Sequence, residues 1–403
     1  MEKYVEYEPI PVKELLKEMK NISSLMVDLA YLSVLHRDVE LAEEVFELEK
    51  KMDKLEILLT MQASLATRSP RDAEKIVSIH RLATASNKIS DAAADIASIV
   101  LQRGALPPLS AEMLFERDSV VAKISVPEDF EGEREIGRIL DELGAVLNFI
   151  AVRRNGEYVL EPPKDFRIRR GDVLIVEGSE SGLEKLRKWL GLPPPEKGTR
   201  AEGRHDRIAE GLFQLRSTSQ VMLDLAYTAL LTRSEDVAER VAELEDYVDR
   251  IARDLELKAI AAEGLSPEEK LGIVSIAVSG ENMADAAAEM VEPLLSGLEP
   301  HPIITDVLWE AEERISVIEM DEADEGKTLD ELGYGERGIR ILAIKRGDEW
   351  YTTPPYSSLR VEKGDILIVK YFSESEEFVE ELESEEDREE MIEEIQEEEW
   401  GEE

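Results

Sequence analysis

Four pairs of acids stand four residues apart: Glu49/Asp53, Asp91/Asp95, Glu245/Asp249 and Asp285/Glu289. On a helix these spacings share one face, where two like charges cost roughly 0.2–0.5 kcal/mol. Around Asp91 the flank runs Asn87, Asp91, Asp95, Ser98, with alanines between and Lys88 the only nearby base. A hard cation held through oxygen removes such repulsion. The pairs are therefore candidate ligands for a divalent or ferric ion, and a solvated acidic face is the alternative. A second chemistry gathers between Val152 and Arg170, where Arg153, Arg154, Lys164, Arg167, Arg169 and Arg170 meet three acids. Guanidinium groups beside Asn155 and the turn prolines suit a phosphate or carboxylate. Ion pairing with the surrounding acids is the other outcome. Asp28 and Asp224 each sit in an apolar stripe, where a carboxylate must be hydrogen-bonded or ligated. A bond to a neighbouring helix is the simplest solution.

The rest of the composition narrows the chemistry. The formal charge over 403 residues is 48 − 91 = −43, so a nucleic-acid partner is close to excluded. There is no cysteine, which removes disulfides, thiolate catalysis and zinc ribbons. The four histidines (His36, His80, His205, His301) are scattered singly. No apolar run approaches the ~18–20 residues of a membrane helix, so no direct membrane insertion is expected. The first residues lack the apolar stretch of a signal peptide, and a cytoplasmic location is the expectation. Five Asn and five Gln against 139 charged residues is the pattern of a heat-adapted protein.

The chain is written twice. Leu25-Met-Val-Asp-Leu-Ala-Tyr31 returns as Val221-Met-Leu-Asp-Leu-Ala-Tyr227, a shift of 196. Ser90-Asp-Ala-Ala-Ala-Asp-Ile96 matches Ala284-Asp-Ala-Ala-Ala-Glu-Met290, and Arg170-Gly-Asp-Val-Leu-Ile-Val176 matches Lys363-Gly-Asp-Ile-Leu-Ile-Val369. Each copy opens with helical periodicity and ends in a mixed part. The helices are expected over 12–36, 38–66 and 70–102, then over 205–233, 235–263 and 267–296. Ser69-Pro70 and Ser266-Pro267 read as N-caps followed by proline at the first helical position, and Glu269 completes a capping box. In the mixed part, Val120 to Val126 alternates as a strand, Glu133 to Leu143 is a helix closed by Gly144, and Ala145 to Val152 is a strand. Gly171-Asp172 turns into a buried strand from Val173 to Val176, and Ser181 to Leu190 is the closing helix.

The middle helix with Glu-x-x-x-Asp and the third with Asp-Ala-Ala-Ala-Asp resemble the PhoU family of intracellular phosphate-transport regulators. Some of its members bind metal clusters through such motifs. The resemblance, over 12–102 and 205–296, implies a metal at Glu49, Asp53, Asp91 and Asp95 and at Glu245, Asp249, Asp285 and Glu289. Phe149-Ile-Ala-Val-Arg-Arg-Asn-Gly156, Glu161-Pro-Pro163 and Arg169-Arg-Gly-Asp-Val-Leu-Ile-Val-Glu-Gly178 are similar to the TrkA-C family. That domain is the C-terminal half of the regulator of potassium conductance (RCK) unit. Ile344-Lys-Arg-Gly-Asp348, Thr353-Pro-Pro355 and Val361-Glu-Lys-Gly-Asp-Ile-Leu-Ile-Val369 repeat the pattern, so the likeness covers 113–192 and 307–382. Some bacterial members bind cyclic di-AMP between two such domains. Carried over by position, this implies an anionic nucleotide at Ile150, Arg154, Asn155 and Pro163, with Arg153 beside them. The second copy offers Arg346 and Pro355 but has Gly347 in place of the asparagine. RCK units usually begin with a Gly-x-Gly-x-x-Gly nucleotide fold; no such string exists here, so NAD is not expected.

The expected architecture is an α+β multidomain chain, antiparallel three-helix PhoU-like bundles alternating with small α/β TrkA-C domains. Its parts are bundle 1–106, TrkA-C domain 107–192, linker 193–204, bundle 205–300, TrkA-C domain 301–382 and acidic tail 383–403. TrkA-C domains resemble dimerisation modules, and a proline-stiffened linker is expected to hold the two apart, which implies at least a homodimer. The implied function is ligand-sensing regulation of potassium or related cation transport, exerted by contact on a membrane transporter or channel. Control of phosphate transport is the alternative. A metal-dependent phosphohydrolase would need a nucleophile or a His–Asp cluster that the sequence lacks, so no enzyme is expected.

Overall fold

Short polar caps mark where four of the six long helices begin. In the computed structural model, which describes residues 5–102, 106–107, 120–194, 206–309, 313–347, 349–352, 356 and 358–382, α1 spans Val12–His36, α2 Val39–Ala66 and α3 Pro70–Leu101. Asp38 accepts the Leu41 N–H and Ser69 accepts the Asp72 N–H, each satisfying a donor that the first turn leaves open. The second copy repeats the plan with α6 over Asp206–Thr232, α7 over Glu235–Ala261 and α8 over Pro267–Leu295. Ser234 caps α7, and Ser266 with Glu269 forms the expected capping box on α8. All six lie within two residues of the ranges the periodicity predicts.

The two bundles are not separate bodies. Helix α3 lies along α8, and one continuous apolar core runs through both copies, including Ile89, Ala93, Ala97, Ile276, Ala284 and Ala287. Lys88 donates to Glu289 and Arg81 pairs with Glu292 at 2.9 Å across the same seam. A further helix, α9 (Pro302–Trp309), packs against both α1 and α6.

Each mixed part is a four-stranded antiparallel sheet. The first uses β1 (Val120–Ser125), β3 (Leu147–Arg154), β4 (Glu157–Leu160) and β6 (Val173–Gly178) in the order β1-β6-β3-β4. β2 (Glu133–Glu135) pairs with β5 (Arg167–Arg169), α4 is Ile136–Leu143 and α5 is Glu180–Trp189. The second sheet, from β7 (Glu313–Glu319), β8 (Ile339–Arg346), β9 (Glu349–Tyr351) and β10 (Ile366–Phe372), has the equivalent order β7-β10-β8-β9. Strands β4 and β5 escape the sequence reading because they are only four and three residues long, β5 being mostly charged; only their partners make them strands.

Both sheets lie on the helical body. The pairing register slips at Ile150 in β3 and at Leu342 in β8, a bulge at matching places. The bulge turns Ile150 and Leu342 into the helical core, while Phe149 and Val152, like Ile341 and Ile344, stay in the core of their own sheet domain. The strand is therefore buried on both faces. The expectation that the linker holds the two sheet domains apart is corrected. Val146 sits so close to Gly338 that a Cβ there would lie 2.5 Å from its Cγ1, and Lys164 reaches Glu374 of the second domain at 2.6 Å. Most of the linker (195–204), Pro355 and the acidic tail (383–403) lie outside the described residues.

Candidate functional site

Helix α7 and helix α8 bring the predicted acids of the second copy together. Carboxylate oxygens of Glu245, Asp249 and Asp285 all lie within 4.8 Å of one another. Partial burial, then the neighbouring carboxylates, push Glu245 and Asp285 above their ordinary values. Glu281, one turn before Asp285 and not singled out from sequence, is pushed up by burial and by Asp249 and Asp285. Glu289 has a different place: Lys88 donates to both of its oxygens, at 2.6 and 2.7 Å. It ties α8 to α3 instead of joining the group.

The first copy holds the same acids more loosely. Burial first, then Asp91, Asp53 and Asp95, raise Glu49; burial, then Asp53 and Asp95, raise Asp91. Asn87 stands where Glu281 stands in the second copy, and its Oδ1 is buried with no hydrogen-bond donor. Asp249 Oδ1 is equally buried and without a donor. A buried acceptor without a partner costs about 1–3 kcal/mol, and a hard cation meets that need. Glu245, Asp249 and Asp285, with Glu281 beside them, fit such an ion: three hard oxygen donors, one of them lacking a donor. Among the described residues this is the one group of three with oxygens so close.

Within the basic segment, Arg153 and Arg154 form structural pairs that recur in the second copy. Arg154 Nε and Nη2 donate to Asp172 Oδ1 and Oδ2 at 2.9 and 2.8 Å, and Nη2 also reaches the Arg167 carbonyl at 2.7 Å. Arg346 does the same with Asp365, at 2.8 Å to each oxygen, and with the Arg360 carbonyl. Both aspartates are buried. Arg153 pairs with Glu40 at the start of α2, and its counterpart Lys345 pairs with Asp236 at the start of α7, which docks each sheet on its own bundle. Asn155 has φ 56° and Gly156 φ 89°, the two left-handed residues of the β3–β4 turn. Gly347, φ 58°, serves the equivalent turn. The Asn/Gly difference is thus an exchange between two residues that tolerate the same backbone. Pro163 is exposed, and its carbonyl accepts the Phe166 N–H.

Among the described residues implied as nucleotide contacts, Ile150 faces an internal cleft. It lines a cavity of about 60 Å³ with Lys20, Asn21, Asp28, Glu161 and Glu313, where α1 meets both sheets. Asp28 is explained by this seam: Arg216 of α6 donates to it at 3.1 Å and lies over the Tyr31 ring. Burial nevertheless keeps Asp28 above the usual carboxylate range and pushes Tyr31 up to about 12. Sequence reasoning missed Lys20, Arg216, Lys370 and Glu313. The signal was available, because the 196-residue shift that aligns Asp28 with Asp224 also aligns Lys20 with Arg216.

Family models place this geometry. The PhoU domain matches residues 16–100 and 212–294, and the TrkA-C domain matches 131–191 and 316–382. The chain carries two PhoU domains and two TrkA-C domains. The PhoU halves fuse into the helical body, and the TrkA-C halves are the two sheets laid on it. Strand β1 precedes the first TrkA-C match yet completes its sheet. Among solved structures, the phosphate transport system regulatory protein PhoU from Streptococcus pneumoniae is 14% identical, with a TM-score of 0.36. The match covers 70% of this chain and 93% of that one. The GsuK RCK domain is 17% identical over 66% of this chain and 63% of its own, TM-score 0.17. The GsuK channel is 15% identical over 73% and 65%, TM-score 0.19. No curated protein matches. No helix among the described residues is long and apolar enough to cross a membrane.

Proposed function

We propose that the protein is a cytoplasmic, non-enzymatic regulator of potassium or related cation transport, acting by contact on a membrane transporter or channel. The observation that carries this reading is the joining of two TrkA-C domains, paired within one chain, to a single body made from two PhoU domains. A change of helix packing in that body must be felt by both sheets, because each sheet buries one face in it.

The sensed ligand in this reading is a hard divalent or ferric cation at Glu245, Asp249 and Asp285, with the Glu49, Asp53, Asp91 group as a weaker second site. Such an ion would supply the positive charge that the acids lack. The chain's own part is to hold α7 against α8 through these carboxylates and to pass the change on to α3 through Lys88 and Glu289. The favoured arrangement then shifts by as much as the ion's affinity differs between arrangements. An anionic nucleotide at the basic segment is the less favoured ligand, since Arg154 and Arg346 already hold Asp172 and Asp365. Affinity capture of the full chain from native membranes is the test. Recovery of a potassium or cation transporter supports the reading; recovery of a phosphate transporter instead replaces it with the alternative.

A further inference from the structure

Pseudo-symmetry makes one position in the seam anomalous. Arg216 of α6 pairs with Asp28 of α1 at 3.1 Å and lies 5.3 Å from the centre of the Tyr31 ring. The matching set is Lys20 of α1, Asp224 of α6 and Tyr227. Lys20 Nζ does lie over Tyr227, at 5.7 Å. It does not pair with Asp224. Lys20 is buried, 7% exposed as a residue, and among the described residues its ammonium makes the ring contact but no hydrogen bond or ion pair. Asp224 is served instead by Lys370 of β10, at 3.5 Å through Oδ1 only, and its Oδ2 is buried with no partner. Lys370 is itself held by Glu313 of β7 at 2.7 Å.

We propose that Asp224 passes between two lysines, Lys370 of the second TrkA-C domain and Lys20 of the first PhoU domain, and that this exchange is a latch between that TrkA-C domain and the helical body. In the latched arrangement Lys370 bridges Glu313 and Asp224, and Lys20 waits over the tyrosine ring. In the released arrangement Lys370 keeps Glu313 on its own sheet. Lys20 then closes on Asp224 as Arg216 closes on Asp28. Tyr227 is three residues, about one helical turn, beyond Asp224, so a rotamer change of the four-carbon Lys20 stem makes the move. A buried carboxylate that loses its only cation is strongly destabilised. With two lysines available, neither arrangement strands Asp224, and that is the condition for two discrete states of similar energy. The first TrkA-C domain has no such latch: Glu177 stands where Lys370 stands in the second, and Asp28 is already held by Arg216. The latch is independent of which ligand is sensed.

A double-mutant cycle on the full chain tests it, with Lys20→Met and Lys370→Met measured alone and together by chemical denaturation. Each single variant keeps one lysine for Asp224. The double variant is expected to lose about tenfold or more in folding equilibrium beyond the product of the singles. That excess should vanish in an Asp224→Asn background. Effects that simply multiply, or an excess that survives Asp224→Asn, overturn the proposal. A second measurement does not need the double variant to fold. Lys20→Arg supplies the longer fork that succeeds at Asp28, so amide exchange across residues 366–372 should rise several-fold. Unchanged exchange in Lys20→Arg overturns the latch as well.

Discussion

Arg154 and Asp172 form a two-point ion pair, with Nε and Nη2 at 2.9 and 2.8 Å from the two carboxylate oxygens. Asp172 is 1% exposed, and the same carboxylate accepts the Arg169 N–H, so the pair closes the turn that feeds β6. Removing the arginine strands a buried charge. Arg154→Ala is expected to cost about 3 kcal/mol of stability, measured by chemical denaturation, and Arg346→Ala to cost a similar amount. A fully stable Arg154→Ala protein that has lost affinity for cyclic di-AMP would return this residue to a ligand role.

The β3–β4 turn makes a separable prediction for Asn155. At φ 56° alanine is strained by about 1–2 kcal/mol, whereas glycine is not. Asn155→Ala should therefore destabilise, and Asn155→Gly should be near neutral, because Gly347 holds the same backbone, φ 58°, in the second copy. Equal losses for both substitutions would point to a side-chain contact instead.

Asp285 carries the pH prediction. Its value is raised by burial, then by Asp249 and Glu289, so its charge costs stability above that raised value. Below the ordinary aspartate value of 3.8 it is protonated whether folded or unfolded, and the cost is gone. Metal-free Asp285→Asn should thus be more stable than the parent at pH 7 by about 0.5 kcal/mol, and the gain should fade as the pH drops. Saturating manganese should reverse the sign, because the parent alone keeps all three ligands. A gain that is flat with pH, or that manganese leaves in place, contradicts the site.

The two TrkA-C domains pair within one chain, Val146 against Gly338 and Lys164 on Glu374. Sedimentation equilibrium is expected to give one species of 45.4 kDa, against the dimer that the domain type alone suggests. Gly338→Val should loosen this pairing, since a side chain there meets Val146 at a backbone with φ 72°. Its signature would be faster amide exchange around residues 145–148 with the helical body unaffected. A dimer in the parent protein would mean that these faces also pair between chains.

Much of the fold is legible in the residues alone, because its determinants are local. Helical periodicity and the caps at Ser69 and Ser266 mark the long helices, and the 196-residue repeat announces two copies. The four-residue spacing puts Glu245 with Asp249, and Asp285 with Glu289, each on one helix face. Burial and charge partners are different in kind, since they depend on what arrives from elsewhere in the chain. Only the tertiary structure fuses the two bundles through α3 and α8, removes Glu289 from the acidic group by giving it Lys88, and brings Glu281 in. It also gives Arg154 its clamp on Asp172 and Arg153 its docking pair with Glu40. The bulges at Ile150 and Leu342 are set by the need of one strand to feed two cores at once. A charged side chain is committed by whichever opposite charge the fold delivers within about 3 Å, and no spacing along a single segment records that.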